Sequence, residues 1–382
     1  MASGDWRPVA AIAVVAVQAS HLLWTLTPPL EGAARHWVAN LFIDASVAAA
    51  FALVLTVAIR YRGSRLGLAW ALLAAGLLFN LFAEVSWSVQ EMALQKDVPF
   101  PSVSDIGYVG AYFPVLLGLL LMPQAPARLL SRVKLGLDAL IVTSGLAVLS
   151  WFLIVERVLS GSGGPVQAKA LSVFYPFADL AVVFAAFVLV ARVGRTKFAL
   201  AFGLLAAGYV ATAFADSVYA YLTEAGYSTG SYADVGWVAG YSLLSLAALA
   251  ALDPVAAFEP RTRQADSAPT FWPSLVPYVA VVPLAILLLD RTGGSGTGTT
   301  LTAGFLAVLA LIVVRQVLAN YENIRLNSEL RDLNANLDVR VREKTMELLR
   351  RPRQAGEGGT PTGARPNGAD EPMGDMHPVR RD

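Results

Sequence analysis

Residues 198–222 read FALAFGLLAAGYVATAFADSVYAYL, twenty-five positions with one charged side chain, Asp216. A helix that crosses the hydrocarbon core of a bilayer needs roughly 20 apolar residues. This stretch meets that length, and in water it would leave a mostly apolar cylinder with nowhere to hide. Residues 66–90, LGLAWALLAAGLLFNLFAEVSWSVQ, repeat the pattern, with Glu84 as their one charged group. Working outward, ten such segments emerge: about 9–27, 37–59, 66–90, 106–122, 134–157, 170–191, 198–222, 235–252, 272–289 and 299–318. Long β-like alternation is missing, so helices and not a barrel satisfy the backbone. The expected fold is therefore all-α, a polytopic membrane helical bundle.

Composition agrees. The chain has 382 residues, 56% of them hydrophobic and 15% charged, against roughly 25% charged in a soluble domain. Of its 57 Lys, Arg, Asp and Glu residues, 23 fall from Arg315 onward. The rest of the chain is too poor in charge to make a polar shell. The net charge of +1 offers no field to attract nucleic acid. There is no cysteine, so disulfides, thiol catalysis and thiolate metal sites are excluded. The histidines, His21, His36 and His377, are far apart, and no His/carboxylate pair has metal-ligand spacing. No metal or other cofactor is expected.

Loop charges orient the chain. With the N-terminus in the cytoplasm, the inner loops hold Arg7, Arg60, Arg62, Arg65, Arg128, Arg132, Lys134, Arg192, Arg195, Lys197, Arg261 and Arg263. The outer loops hold Arg35, Lys96, Arg157, Lys169 and Arg291. Twelve against five follows the positive-inside rule, so a multi-pass cell-membrane protein with both termini cytoplasmic is expected. A cleaved leader is the other reading of the first segment, with Val17-Gln18-Ala19 as its cleavage site. The apolar run continues through Leu22, Leu23, Trp24 and Leu26, and cleavage would spoil the repeat described next.

Leu72-Leu73-Ala74-Ala75-Gly76 recurs as Leu204-Leu205-Ala206-Ala207-Gly208. Eight residues past each glycine is an acid, Glu84 or Asp216, and three further on an aromatic, Trp87 or Tyr219. Asp105-Ile106-Gly107-Tyr108-Val109 matches Asp234-Val235-Gly236-Trp237-Val238, with Tyr112 and Tyr241 at the same offset. Asp44 matches Asp179 if a three-residue gap is allowed. A four-helix unit duplicated in tandem explains the order of matches. The expected organisation is a first repeat over 1–130, a second over 131–258, two further spans over 259–318, a cytoplasmic coiled-coil helix over 319–351 and a disordered tail over 352–382.

Ionisable groups inside spans are costly and draw attention to function. In this topology Asp44, Glu84, Asp105, Asp179, Asp216 and Asp234 all fall in the extracytoplasmic third. Trp87, Tyr108, Tyr219 and Trp237 follow four of them at i+3, on the same helix faces. These ten residues are the candidate ligand-sensing set. Carboxyls beside Trp and Tyr suit a small extracytoplasmic ligand that is cationic or hydrogen-bonding. Protonation sensing is a second use, since a carboxyl taken out of water favours its neutral form. The bland alternatives are helix N-capping by Asp105 and Asp234, an aromatic belt at the membrane surface, and plain interhelical hydrogen bonding. His21 reads as a helix-packing polar residue.

The last span has no break before the polar region. Leu326, Leu330, Leu333 and Leu337 are spaced 4, 3, 4, as in a coiled coil. Val341 and Leu348 continue it after a stutter, and Pro352 should end the helix. A lone amphipathic helix is the alternative to pairing as a homodimer or heteromer.

The stalk Leu330-Arg331-Asp332-Leu333-Asn334-Ala335-Asn336-Leu337-Asp338-Val339-Arg340-Val341-Arg342-Glu343-Lys344-Thr345 resembles the signalling helix of bacterial membrane sensors. Leu137-Asp138-Ala139-Leu140-Ile141, Tyr175-Pro176-Phe177-Ala178-Asp179-Leu180, Ala215-Asp216 with Tyr219, and Asp234 with Trp237 and Tyr241 resemble the multi-span input regions of actinobacterial signalling proteins. Those carry diguanylate cyclase or phosphodiesterase (GGDEF or EAL) or sensor-kinase outputs. After Thr345 this sequence has no GGDEF-like or EAL-like motif, no phosphoacceptor-histidine helix and no phosphate loop. The resemblance therefore implies a sensor-like input module without its own catalytic domain, not itself an enzyme. A proton- or cation-coupled transporter is the alternative, because tandem repeats and intramembrane acids also suit a carrier.

Overall fold

The computed structural model describes residues 5–27, 30–94, 98–123, 129–156, 165–193, 197–223, 227–253, 285–286 and 297–355. Its elements are α1 (Arg7–Leu26), α2 (Gly32–Arg60), α3 (Arg65–Leu94), α4 (Ser104–Leu121), α5 (Leu129–Ser150) with a π turn over Trp151–Val155, α6 (Val166–Val193), α7 (Ala199–Thr223), α8 (Asp234–Leu252) and α9 (Thr297–Ala355). The fold is all-α: among the described residues there is no strand, and nine helices are long and apolar enough to cross a membrane. The expected segment at 272–289 lies outside the described residues apart from 285–286, and so does the tail from 356 onward.

Contacts divide the chain into two units, Met1–Ala319 and Asn320–Asp382. In the first, six helices form a closed ring. α2 packs on α3, α3 on α4, α4 on α6, α6 on α7, α7 on α8, and α8 back on α2. The second helix of each expected repeat thus meets the fourth helix of the other. α1 lies outside the ring against α8 and α2. His21 is buried there, its ring 5.0 Å from that of Phe42.

Lipid tails are as apolar as leucine, so helices in a bilayer associate through close packing and not through the hydrophobic effect. Small residues make that packing dense here. A Cβ on Gly76 of α3 would meet Val115 Cγ2 at 2.5 Å and the Ala111 carbonyl at 3.3 Å. A Cβ on Gly208 of α7 would meet Leu244 Cδ2 at 2.8 Å and the Gly240 carbonyl at 3.0 Å. Gly107 lies against Phe79 and Ala83, and Gly236 against Ala211 and Ala215. Each pair occupies equivalent positions in the two halves, so α3 with α4 and α7 with α8 are the same joint built twice. Trp70, Leu73, Leu119, Leu189, Phe202, Leu205 and Leu244 are fully buried in the core that all six helices share.

Polar contacts mark the two ends of the ring. At one end Arg7 pairs with Asp253 at 3.1 Å, Tyr61 Oη donates to the Ala251 carbonyl at 3.0 Å, and Arg65 Nε donates to the Leu121 carbonyl at 3.0 Å. At the other end Arg35 donates to the Gly230 carbonyl at 2.7 Å, and His36 meets Ser228 at 3.1 Å.

α5 packs on α6, and its π turn on α7. It also carries the apolar half of α9: Ile141 clusters with Val308 and Ile312, and Gly304 lies on Val148. Arg315 Nε donates to Asp138 Oδ1 at 2.7 Å, with both residues buried. Asp138 is nine residues beyond the start of α5, deeper than the first turn, so it needs the arginine as a partner.

The second unit holds the polar part of α9. Leu326, Leu330, Leu333, Leu337 and Val341 are exposed there, between 40% and 61%, and bury nothing within one chain. The side chain of Leu348 lies outside the described residues. The helix runs past Pro352 to Ala355. A proline in a last turn forfeits one backbone bond and has little helix left to break.

Candidate functional site

The ring is hollow at the end marked by Arg35 and His36. A cavity of about 530 Å³ is lined from all six ring helices. That volume lies within the roughly 300–1,000 Å³ usual for small-molecule sites. The rim residues His36, Phe100, Thr223 and Ser228 line it and are partly open to solvent. Its other end is closed by Ile43, Val115, Val182, Tyr209 and Leu244, and below them the ring is filled with apolar side chains.

Eight of the ten candidates from the sequence line this space: Glu84, Trp87, Asp105, Tyr108, Asp179, Asp216, Tyr219 and Trp237. Their i+3 spacing puts acid and ring on one helix face, and the ring of helices turns those faces inward. Asp44 and Asp234 are not among the lining residues. Asp44 accepts from Ser88 Oγ at 3.0 Å. Asp234 is fully buried, accepting from Gly230 N at 2.7 Å and Tyr227 Oη at 2.8 Å.

Helix N-capping, the alternative reading of Asp105 and Asp234, does not hold. Val103 and Ala233 hold the cap positions of α4 and α8, and the acids lie in the first turns. Their carboxylates reach back into the preceding loops, Asp105 to the amide of Ser102 at 2.6 Å and Asp234 to that of Gly230. Gly230 has φ +94°, a left-handed conformation that favours glycine. Both acids still face a helix N-terminus, where negative charge is favoured.

Every acid of the set is held by a neutral donor. Tyr108 and Tyr241 each donate to one oxygen of Glu84 at 3.1 Å. Tyr112 donates to Asp179 and Tyr175 to Asp105, both at 2.6 Å. Trp237 Nε1 donates to Asp216 at 2.7 Å. Among the described lining residues there are five carboxyls, Glu84, Glu91, Asp105, Asp179 and Asp216, and no lysine or arginine. His36 at the rim is 3.2 Å from Glu91, which also accepts from Asn40 at 2.6 Å. Between α7 and α8, burial and the neighbouring Asp234 hold the Tyr227 phenol well above its ordinary range, so it stays a donor.

The aromatic lining falls into two walls. Tyr219 is the centre of one, 4.7 Å from Tyr227, 5.8 Å from Trp237 and 6.3 Å from Trp87. Tyr112, Phe174 and Tyr175 make the other, with ring separations of 5.6–6.3 Å. The sequence alone marked Tyr112 and Tyr241 as repeat positions, and Tyr241 also in the resemblance, and did not assign them, Tyr175, Tyr209, Tyr227, His36, Asn40 or Glu91 to the site. Tyr108 and Tyr112 are one helical turn apart, and that spacing could have placed Tyr112 on the face of Tyr108. The partners of Glu91 come from another helix, and nothing local announces them.

Among the described residues, no group of three His, Cys, Asp or Glu side chains could hold a metal ion. No protein-family model, no curated protein and no solved structure matches this chain.

Proposed function

We propose that this chain is the signal-input part of a membrane sensor, with a small-molecule site in the six-helix ring and a cytoplasmic helix that pairs with a second chain. One observation carries the reading: a short line of direct contacts joins the cavity wall to the helix that continues as the stalk. Asp179 lies on α6 and Asp216 on α7. α5 packs on both, through its body and its π turn, and holds α9 through Ile141, Val148 and the Asp138–Arg315 pair. π turns inside α-helices often mark functional positions. A ligand that closes α6 and α7 differently in two states would bias the placement of α9, and small helix shifts of this kind are a common switching device.

The orientation follows from charge. The closed end of the ring bears Arg7, Arg60, Arg62, Arg65 and Lys197, so it faces the cytoplasm and the cavity opens outward. A carrier would need a second exit from the cavity. Below Tyr209 and Leu244 the ring is packed with Val47, Leu73, Leu119, Leu189 and Leu205, which favours a receptor.

The lack of cysteine makes the test direct. Single cysteines at Leu333, at Leu337 and, as a control, at Asp338 are oxidised in membranes and run on a non-reducing gel. We expect disulfide dimers from the two leucine positions only, with a yield at Leu333 that changes when Glu84→Gln or Asp216→Asn is added. No dimer from any position would overturn the pairing of stalks. A yield indifferent to the cavity substitutions would overturn the coupling.

A further inference from the structure

We propose that the cavity takes an organic amine, with its ammonium N–H groups between Asp179 and Asp216, its carbon body along the Tyr219 wall and a polar group toward Tyr209. The proposal rests on the reading of the cavity as the site of a sensor.

Charge comes first. Five carboxyls line the cavity; among the described lining residues there is no lysine or arginine, and the one histidine, His36, lies at the rim against Glu91. Uncompensated charge at membrane depth is expensive, and the phenol and indole donors stabilise carboxylates without cancelling them. A cation supplied from outside would complete the site.

The free acceptors say what kind of cation. Both oxygens of Glu84 are taken by tyrosines, and both of Asp105 by Tyr175 and the Ser102 amide. Asp179 and Asp216 each accept one bond, from Tyr112 and Trp237, and keep one oxygen. Both line the same cavity, from the adjacent helices α6 and α7. Pro176, a lining residue one turn before Asp179, has no N–H to offer the carbonyl of Ser172, which also lines the cavity. Unused acceptors call for N–H donors, which a primary or secondary amine has and a quaternary ammonium lacks.

The walls give the body of the ligand. Tyr219, Tyr227, Trp237 and Trp87 form a continuous aromatic surface beginning one turn from Asp216. Ammonium groups and the carbons next to them are attracted to such faces. At the floor, Tyr209 is buried, lines the cavity, and its hydroxyl has no hydrogen-bond partner. Tyr209 is seven residues from Asp216 on α7, about 10 Å along the axis. A molecule that reaches both has more than a handful of heavy atoms, and the 530 Å³ cavity far exceeds a bare ion.

The test uses the full chain in detergent, with thermal unfolding followed by tryptophan fluorescence at fixed pH and ionic strength. The probes are tyramine, its N,N,N-trimethyl derivative, spermidine and sodium. We expect saturable stabilisation by at least one of the two amines, binding at least tenfold weaker for the trimethyl derivative than for tyramine, and no specific effect of sodium. Asp179→Asn and Asp216→Asn should each weaken amine binding tenfold or more. Ser217→Leu narrows the cavity while keeping both acids and should abolish binding as well, so a poorly folded aspartate variant leaves the test intact. Equal stabilisation by sodium, equal binding of the trimethyl derivative, or amine binding unchanged in these variants would overturn the proposal. If no amine binds while the cavity substitutions still alter cross-linking at Leu333, the amine falls and the sensor reading stands. If amines bind and Leu333 cross-linking never responds, the sensor reading falls and the amine site stands.

Discussion

Replacing Asp138 with Asn should loosen α9 from α5, and the structure sets the size of the effect. Arg315 Nε is 2.7 Å from Asp138 Oδ1 and Nη2 is 3.5 Å from Oδ2, with the side chains 10% and 11% exposed. Opposite charges about 4 Å apart attract by about 4 kcal/mol at the effective dielectric that reproduces measured protein electrostatics. Removing one partner of a buried pair costs about 3–5 kcal/mol, because the other charge stays behind without its counter-ion. Among the described residues the same joint contains Ile141 with Val308 and Ile312, and Gly304 on Val148. The pair is its charged part, and its loss leaves these apolar contacts to hold α9. Removing both charges in Asp138→Leu/Arg315→Met should recover most of the loss, since apolar replacement of a buried pair is often neutral or stabilising. The assay is a double-mutant cycle on denaturant unfolding in micelles, with tryptophan fluorescence as the signal. A coupling energy near zero, or an Asp138→Asn variant within about 0.5 kcal/mol of the parent, would refute the assignment of this pair as the joint.

Two further outcomes follow from the ring itself. Gly76→Ala and Gly208→Ala should each destabilise by about 1–3 kcal/mol, because the added Cβ meets Val115 Cγ2 at 2.5 Å in one half and Leu244 Cδ2 at 2.8 Å in the other. Unfolding midpoints in detergent check this, and a neutral result at both positions would mean that α3–α4 and α7–α8 are not tightly packed. Tyr241→Phe and Tyr108→Phe each remove one hydroxyl donor from Glu84 and should each cost about 1.5–3 kcal/mol if Glu84 is ionised. The double variant should be non-additive, since both act on one carboxyl; strict additivity of the two unfolding energies would argue against a shared acceptor.

The membrane fold was legible because its signal is repeated along each segment. Length and hydropathy locate nine of the ten expected spans, and packing has little power to override twenty apolar residues. The acid-and-aromatic spacing located seven of the eight cavity residues for a similar reason: i+3 neighbours share a face whatever the tertiary contacts are. Asp179, the eighth, was grouped on depth. Partners from distant helices were another matter. Asp138 and Arg315 are 177 positions apart, and Arg315 read only as the start of the charge-rich C-terminal region, near the end of the last span. A lone acid in one span and a lone base at the end of another could have been matched on energetic grounds, since neither is stable alone in lipid. Three of the donors to the acids, Tyr112, Tyr175 and Tyr241, were hidden because tyrosine at a membrane surface has an ordinary explanation in the aromatic belt. Asp44 was grouped with the site on depth alone, and depth does not say which way a side chain faces.

Two copies of one unit would offer two equivalent pockets, and the hydrogen bonds argue for one. Tyr108 and Trp237 are equivalent positions, and they donate to the equivalent acids Glu84 and Asp216. Tyr112 and Tyr241 are also equivalent, yet their acceptors differ. Tyr112 reaches Asp179, whose counterpart in the first half is Asp44, whereas Tyr241 reaches Glu84. Glu84 is thereby saturated and Asp44 is left to Ser88, away from the cavity lining. In the first half Glu84 has no unused oxygen and the unpartnered Oδ1 of Asp44 is buried outside the cavity lining, whereas Asp179 and Asp216 each keep one on the cavity wall. The second half is also the one whose helices α6 and α7 touch α5 and, through it, α9. The unused oxygens on the cavity lining thus lie on the side of the ring that packs on α5. In a symmetric pair of pockets, half of the bound ligand would have no such connection.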